Sequence, residues 1–296
     1  MPTQKGEAMA GTPNPTVKRK RLGIELRRLR EEVGLTCEQV GDRLGYSGTR
    51  ISRIETGKIS AKPGDVHELL EVYGVTGPAA DALVQLARDA RKKGWWHTYG
   101  MNLPEWFSAY VGFEAEAVTF RDFQPLYIPG LLQTEDYARA VLQVAPVPGT
   151  PEEIDRQVAV RMERQTILGR DNPPELWFAI SETALRVRVG SPQVMRTQLE
   201  HLAQLAERAN ITIQILPFAT AAHVNPITGF RILGFPDPKD PTVVYVEHLT
   251  GALFLEREDE IRRYTVVFDH LRAEALGKSA SVELIRRIAD EMGASL

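Results

Sequence analysis

The sequence predicts an α+β protein in which an all-helical domain of five helices precedes a larger mixed α/β domain. Helical periodicity extends over residues 21–93, where four glycine-containing turns separate five helices. Strand-like apolar runs occur only after Gly94. The chain has 296 residues, of which 43% are hydrophobic and 25% are charged. At the usual size of a domain, this length is enough for about two domains.

The composition excludes several classes of protein. No run of about 18 apolar residues occurs, so we expect no membrane-spanning helix. Residues 1–20 lack an apolar signal core, and we therefore expect a cytoplasmic protein, associated with the nucleoid if it binds DNA. Cys37, the single cysteine, can form neither an internal disulfide nor a cysteine-based metal cage.

Charge is distributed unevenly along the chain, whose net charge is −3. Residues 1–93 carry 17 Lys and Arg against 12 Asp and Glu, whereas residues 94–296 carry 19 against 27. A basic first part on an acidic body is typical of a protein that meets a polyanion at one end. The alternative is an ordinary fluctuation in surface charge.

Composition and periodicity divide the chain into four segments. Residues 1–17 are polar and rich in Pro and Gly, so they are predicted to be a disordered tail. The helical domain comprises residues 18–75, and a helical connector comprises residues 76–93. The α/β domain comprises residues 94–296.

The second and third helices have clear start and stop signals. Thr36, followed by Gln39 three residues later, predicts a capping box at the start of the second helix. Gly45 predicts a tight turn after that helix. Ser47 predicts the N-cap of a third helix, which ends at Gly57.

The outer face of the third helix carries residue types that read DNA. At about 100° per residue, Ile51 and Ile54 face the core, and the opposite face carries Thr, Ser and Arg side chains. Such a helix fits the major groove, where Arg presents a fork to guanine and Thr contacts a base edge or a thymine methyl. We therefore predict that Thr49, Ser52 and Arg53 read bases.

The predicted phosphate contacts combine helix N-termini with basic side chains. They are Thr36, Ser47, Arg50, Lys58, Arg19, Lys20 and Arg21. The basic run of residues 18–21 is expected to add salt-dependent attraction that does not depend on sequence. Two alternatives remain open: a helical bundle with a solvated basic face, and a helix-turn-helix used only for contact with protein.

These motifs carry a family resemblance. The segment that ends in Ser47-x-Thr-Arg-Ile-Ser-Arg-Ile-Glu-x-Gly57 resembles the phage-repressor helix-turn-helix family, also called the xenobiotic-response-element type. In that family the third helix is the recognition helix, which agrees with the face described above. Glu55 and Gly57 match the motif that closes this helix.

Three positions depart from the family pattern. Gly41 stands where the family usually has Ala, which costs up to ~1 kcal/mol of helix propensity. Cys37 stands where a Gln often contacts phosphate. Gly48 offers no side chain at a position that some members use to read a base. Sequence discrimination is therefore expected to depend on few residues.

The pattern after Gly94 predicts six strands and five helices. The predicted strands are residues 117–123, 176–181, 211–216, 229–233, 242–246 and 252–255. The predicted helices are residues 134–143, 151–168, 192–209, 259–275 and 281–292. The apolar face of the last helix is predicted either to pack on the body or to pair with another subunit.

Several strings in this second part also resemble a known domain. Among them are Gly94-Trp-Trp96, Tyr127-Ile-Pro-Gly-Leu-Leu-Gln-Thr-Glu-Asp-Tyr-Ala-Arg139 and Val244-Tyr-Val-Glu247. They are similar to the uncharacterised C-terminal domain that follows this helix-turn-helix in a large regulator family of high-GC Gram-positive bacteria. The resemblance implies no established activity, but it implies a small companion protein as a partner.

No pattern predicts catalysis, a metal site or a cofactor. The sequence lacks paired histidines at metal-ligand spacing, a nucleophile elbow, a P-loop and a dinucleotide fingerprint. The pairs Ser181–Glu182 and Glu247–His248 are predicted to be polar strand ends that face water. We therefore expect no metal, no cofactor and no enzymatic activity.

A ligand or partner site is expected in the second part. Its candidate residues are Trp95, Trp96, His223 and Asn225. His223 and Asn225 lie in the connection 217–228 between two predicted strands, and such loops commonly bind ligands. A plain surface loop, and tryptophans that only dock the connector, are the alternatives.

Together these patterns predict a sequence-specific transcriptional regulator that binds double-stranded DNA. A repressor is the default from the family resemblance, and an activator stays open. The second part of the chain is expected to sense a small-molecule effector or a small companion protein. We expect a homodimer, because helix-turn-helix repressors usually bind half-sites about 34 Å apart. One rival is an antitoxin-like or anti-activator protein that holds a small partner and regulates its own gene. The other is an enzyme with a DNA-binding appendage.

Overall fold

The structure, a computed structural model, describes residues 15–91, 103–145, 149–220, 228–237 and 240–293. The chain divides into two compact units. The first unit comprises residues 1–98 and 108–116, and the second comprises residues 99–107 and 117–296. The first is helical and the second is mixed α/β, so the predicted fold class is confirmed.

The first unit is built from a bundle of short helices. They are α1 (Pro15–Glu32), α2 (Cys37–Leu44), α3 (Gly48–Glu55), α4 (Pro63–Val72) and α5 (Pro78–Asp89). Their shared core contains Leu22, Leu26, Val40, Ile51, Ile54, Val66, Leu69, Leu70 and Ala87. Each helix contributes at least one buried residue to this core, which explains why helices as short as eight residues are stable here.

The start of α1 corrects the predicted tail at residues 15–17. The helix begins at Pro15, and proline is favourable at the first position of a helix. Val17 is buried, at 5% exposure, so it belongs to the folded unit. Residues 1–14 lie outside the described part of the chain.

The predicted caps and turns of the first unit are confirmed. The Thr36 hydroxyl accepts from Gln39 N, and Thr36 N donates to the Gln39 Oε1 at 2.8 Å. Ser47 Oγ accepts from Arg50 N at the start of α3. Gly45 ends α2 in the left-handed conformation, at φ 69°. These local signals set the geometry of the α2–turn–α3 segment.

The segment expected to be a connector contains α5. Ala87 of this helix is fully buried in the core of the first unit. The Lys18 Nζ lies 3.2 Å from Asp89 Oδ2 and so joins α1 to α5. Helix α5 is therefore the fifth helix of the packed unit, while the domain boundary drawn at residue 75 stays a prediction.

Six strands of the second unit form one sheet in the order β3-β2-β1-β4-β5-β6. They are β1 (Thr119–Gln124), β2 (Glu175–Ser181), β3 (Ile211–Leu216), β4 (Phe230–Gly234), β5 (Val243–His248) and β6 (Gly251–Leu255). Strands β1, β2 and β3 are parallel, whereas the pairs β1–β4, β4–β5 and β5–β6 are antiparallel. All six predicted strands are confirmed, with ends that differ by at most two residues.

The helices of the second unit follow the predicted pattern, with two additions. The predicted ones are α7 (Glu135–Gln143), α8 (Pro151–Arg164), α10 (Pro192–Leu205), α11 (Glu258–Glu274) and α12 (Lys278–Gly293). The additions are α6 (Glu105–Glu116), which the division between the units crosses, and α9 (Glu182–Arg186). Short 3₁₀ helices cover Gly130–Leu132 and Gln165–Gly169.

Helix α9 corrects the prediction for Ser181 and Glu182. Ser181 is fully buried and its Oγ accepts from Thr183 N, so it caps α9. Glu182 is 9% exposed, and its Oε2 accepts from Phe218 N at 3.1 Å. Both residues are therefore structural polar groups rather than water-facing strand ends.

The connection between β1 and α7 is fixed by a buried glutamine. Gln198 of α10 is fully buried, its Nε2 donates to Leu132 O, and its Oε1 accepts from Thr134 N, each at 2.7 Å. Helix α12 packs on α10 through buried residues that include Leu284 and Ile288. Of the two alternatives for the last helix, its apolar face packs on the body.

Candidate nucleic-acid interface

The outer face of α3 presents the three residues predicted to read bases. Thr49, Ser52 and Arg53 are all exposed. Ile51 and Ile54, on the other face, are 0% and 2% exposed and pack in the core. Because the two buried residues are three positions apart, they anchor one side of the helix and leave the other side to solvent.

A buried ion pair fixes the end of α3. Arg30 of α1 donates from Nε to Glu55 Oε1 at 2.7 Å and from Nη2 to Oε2 at 2.9 Å. Its Nη1 donates to Leu35 O at 2.7 Å. The hydrogen bonds to Glu55 raise the pKa of Arg30 above its ordinary value. Glu55, which the family resemblance placed in the motif that closes α3, thus locks that helix to α1.

The turn between α2 and α3 depends on Gly41. A Cβ at this position would lie 2.5 Å from Tyr46 O and 3.1 Å from Gly48 N. Tyr46 N donates to Gly41 O at 2.8 Å, so the backbones are in direct contact. The glycine that weakens α2 by propensity is therefore the residue that lets the turn close on it.

An open groove of about 480 Å³ lies beside α3. It brings Thr36, a predicted phosphate contact, together with Thr49 and Ser52. Glu38 also lines it, and a Cβ at Gly48 would lie 3.0 Å from Glu38 Oε1. Glu38 was not among the predicted site residues, although its place in the first turn of α2, beside the N-cap Thr36, was a signal in the sequence.

Cys37 lines the same groove and also contacts the core. Its Sγ lies 3.8 Å from Glu55 Oε2, and the residue packs against the core of the first unit. Burial raises the pKa of the Cys37 thiol. Cys37 therefore brings a thiol to the edge of the groove, where the resembling family often has the amide of a Gln.

Arg50 is already used inside the protein. Its Nη2 donates to Asp65 Oδ2 at 2.7 Å, and its guanidinium lies 3.8 Å from the centroid of the Tyr46 ring. We therefore reassign Arg50 from phosphate contact to a support that holds α3 on α4. Ser47 and Lys58, by contrast, are exposed at the two ends of α3, as predicted phosphate contacts must be.

The basic run packs within the first unit rather than forming an exposed patch. The Lys20 Nζ lies 5.0 Å from the centroid of the Phe113 ring. Burial, followed by the charge of Arg19, lowers the pKa of Lys20 to about 8. Arg19 and Arg21 are half-buried. The prediction of Lys20 as a phosphate contact is therefore corrected: the packed side chain serves the fold.

Four predicted site residues cannot be placed, because Trp95, Trp96, His223 and Asn225 lie outside the described residues. Within the described ranges, no cluster of three or more His, Cys, Asp or Glu side chains could hold a metal ion. No helix in the same ranges is long and apolar enough to cross a membrane.

Two regions of the chain match known families. Residues 107–287 match a domain of unknown function, DUF5753, and residues 21–83 match a helix-turn-helix domain. A search of curated proteins and a search of solved structures each find no match. The helix-turn-helix match contains α2 and α3 in full and indicates a DNA-binding regulator, as predicted.

Proposed function

The chain belongs to the DUF5753 family, and since it also carries a helix-turn-helix domain, we propose that it is a sequence-specific repressor of transcription. The first unit binds double-stranded DNA, and the second senses a small-molecule effector or a small companion protein. One observation supports the DNA-binding role most directly. Thr49, Ser52 and Arg53 share the exposed face of a helix whose opposite face is buried.

In this proposal α3 enters the major groove. Arg53 donates both arms of its guanidinium to one guanine, and Thr49 contacts a base edge or a thymine methyl. Ser52 hydrogen-bonds to the neighbouring base. Glu38, beside the N-terminal end of α3, accepts from a cytosine amino group.

Few phosphate contacts accompany this face. Ser47 and Thr36 are the N-caps of α3 and α2, so the free backbone N–H groups beside them can bind phosphate oxygens. Lys58 follows α3 and adds one mobile positive charge. The salt slope is the fall in the logarithm of the binding constant with the logarithm of the salt concentration. Each neutralised phosphate contributes about 0.9 to this slope. We therefore expect a shallow salt dependence for one DNA-binding unit.

The regulator acts as a homodimer in this proposal. Two copies of α3 then meet half-sites about 34 Å apart, or a multiple of that distance. Binding of an effector or companion protein to the second unit changes the spacing or the availability of the two helices. Deletion of residues 94–296 tests this step, because a truncated chain that still binds DNA and still responds to the effector would contradict it.

The first test is binding of the purified full-length chain to the DNA upstream of its own gene. Arg53→Ala is expected to cost about 1–3 kcal/mol at one base position, whereas Lys58→Ala weakens all sequences alike. Arg196→Ala is the matched control, because Arg196 is an exposed arginine of the second unit. Unchanged binding by Arg53→Ala would show that the wrong face of α3 has been assigned.

A further inference from the structure

The second unit contains a cavity that the proposal above does not use. Its volume is about 550 Å³. The wall combines three arginines with apolar and aromatic side chains, among them Arg156, Arg161, Arg164, Trp106, Phe107 and Leu142. Cavities of about 300–1,000 Å³ that have an apolar lining and a few placed polar groups are typical of small-molecule sites.

Arg161 is held in place at this wall by a neutral partner. Its Nη1 donates to Gln133 Oε1 at 2.8 Å. Gln133 is only 4% exposed, and its own Nε2 donates to Ile128 O at 2.7 Å. The guanidinium is therefore positioned by a buried amide, which fixes its direction without neutralising its charge.

Arg164 lies one turn further along α8, on the same side. It is 6% exposed, and its guanidinium lies 5.5 Å from the centroid of the Phe107 ring. Burial, followed by the charge of Arg164, lowers the pKa of Arg161 to about 10. Positive charge is therefore concentrated at this part of the wall.

The two carboxylates at the wall have partners of their own. Glu153 Oε2 accepts from Thr150 N at 2.8 Å in the capping box of α8. Glu247 Oε2 accepts from the Tyr245 hydroxyl at 3.1 Å and lies 3.7 Å from Arg231 Nη1. Glu247 offsets part of the charge of the wall, and the arginines still outnumber the carboxylates.

We propose that this cavity binds a small organic anion whose acid group is held by Arg161, with the exposed Arg156 adding positive charge at the same wall, and whose apolar body packs on Trp106 and Phe107. Guanidinium groups bind planar acid groups through paired, charge-assisted hydrogen bonds. The aromatic wall favours a ring or a short hydrocarbon chain beside that acid group. The inference deepens the proposed sensing role and relies on it only for the effect on DNA.

The test titrates the full chain, without DNA, with 1-anilinonaphthalene-8-sulfonate and with its uncharged counterpart N-phenyl-1-naphthylamine. We expect saturable binding of the anionic probe, weakened about tenfold or more by Arg161→Gln. The affinity for the neutral probe is expected to change less than about twofold in the same variant. The control Arg196→Gln removes an exposed arginine of the same unit and leaves both probes unchanged. Equal effects of the two substitutions would overturn the proposal.

Two further measurements separate binding from folding. Arg156→Gln changes an exposed arginine at the cavity. This substitution is expected to weaken binding of the anionic probe without lowering the melting temperature of the protein. On the unchanged protein, benzoate is expected to displace the bound probe, and benzyl alcohol at the same concentration is not. Equal displacement by both compounds overturns the anion site. Operator binding is measured separately, so a failure here leaves the DNA-binding proposal standing.

Discussion

In the first unit the buried Arg30 is neutralised by Glu55, whereas in the second unit Arg161 is held by the uncharged amide of Gln133. The first arrangement consumes the charge of the arginine and ties two helices together. The second keeps the charge available at the wall of a cavity. The arginine with an acidic partner thus supports the fold, whereas the half-buried arginine with a neutral partner is the one proposed to bind a ligand.

The largest expected effect is the loss of stability when the Arg30–Glu55 pair of the first unit is broken. Glu55→Gln removes the carboxylate that accepts two hydrogen bonds from the buried Arg30 and leaves only the exposed Glu31, 3.6 Å away. Removal of one partner of a buried pair costs about 3–5 kcal/mol in the free energy of unfolding. Urea denaturation of the full chain measures this loss. Glu32→Gln is the control, since Glu32 pairs with Arg28 on the surface and its loss is expected to leave the urea midpoint unchanged. Similar losses in both variants would remove the distinction drawn above.

Gly41 provides the next largest effect. Gly41→Ala forces a Cβ against the Tyr46 carbonyl and is expected to lower the free energy of unfolding by about 1–3 kcal/mol. Gly64→Ala is the matched control in α4, because nothing lies within 4 Å of its Cβ and its φ is not positive. That change is expected to stabilise by up to about 1 kcal/mol. Thermal unfolding that shows stabilisation by Gly41→Ala would contradict the close backbone contact.

The lowered pKa of Lys20 is expected to make the stability of the first unit depend on pH. Its pKa falls to about 8 in the folded protein, so between pH 8 and 10.5 the unfolded chain binds more protons. The free energy of unfolding therefore rises with pH through this window, by about 1.4 kcal/mol for each unit of pKa shift. Lys20→Met is expected to abolish the rise, and the exposed Lys58→Met to retain it.

Denaturation curves between pH 7.5 and 9.5 measure this difference. The interval stays below pH 10, because the pKa of Tyr46 is raised to about 12, mainly by its hydrogen bond to Glu68. Tyrosine ionisation in the unfolded chain lowers stability above that pH. A Lys20→Met curve that rises as steeply as the parent curve would assign the dependence to another group.

The smallest effect concerns the salt dependence of DNA binding. Arg50→Ala is expected to leave the salt slope unchanged, because the charge of Arg50 is already paired with Asp65. Lys58→Ala is expected to reduce the slope by about 1, as for the loss of one phosphate contact. Fluorescence anisotropy at several salt concentrations gives both slopes. A reduced slope for Arg50→Ala would restore this residue to the DNA interface.

Local signals explain what could be predicted from the sequence. Thr36, Gln39 and Ser47 cap helices within three residues of themselves, and the spacing of Ile51 and Ile54 orients α3 without reference to the rest of the chain. Strand signals in the second unit are equally local, since each is a short apolar run of the sequence. The face proposed to bind DNA could therefore be predicted.

Contacts between distant residues explain what could not be predicted. Gln133 and Arg161 are 28 residues apart, and nothing near either residue indicates that they meet at a cavity. Lys20 lies in a run that reads as exposed and basic, but its side chain packs near Phe113. From the sequence alone, Gly41 is expected only to weaken α2. Its role depends on the Tyr46 carbonyl, which comes close to it only in the folded turn.

The buried amide of Gln198 has a consequence for the order of folding. Its hydrogen bonds reach back 66 residues to Leu132 and 64 residues to Thr134. Closing such long loops costs chain entropy before the hydrogen bonds can stabilise the fold, and this slows the formation of these contacts. The Arg30–Glu55 pair closes only 25 residues. During synthesis, the helices of the first unit can therefore be complete while the segment that carries Gln133, the partner of Arg161, is not yet fixed because α10 has not emerged.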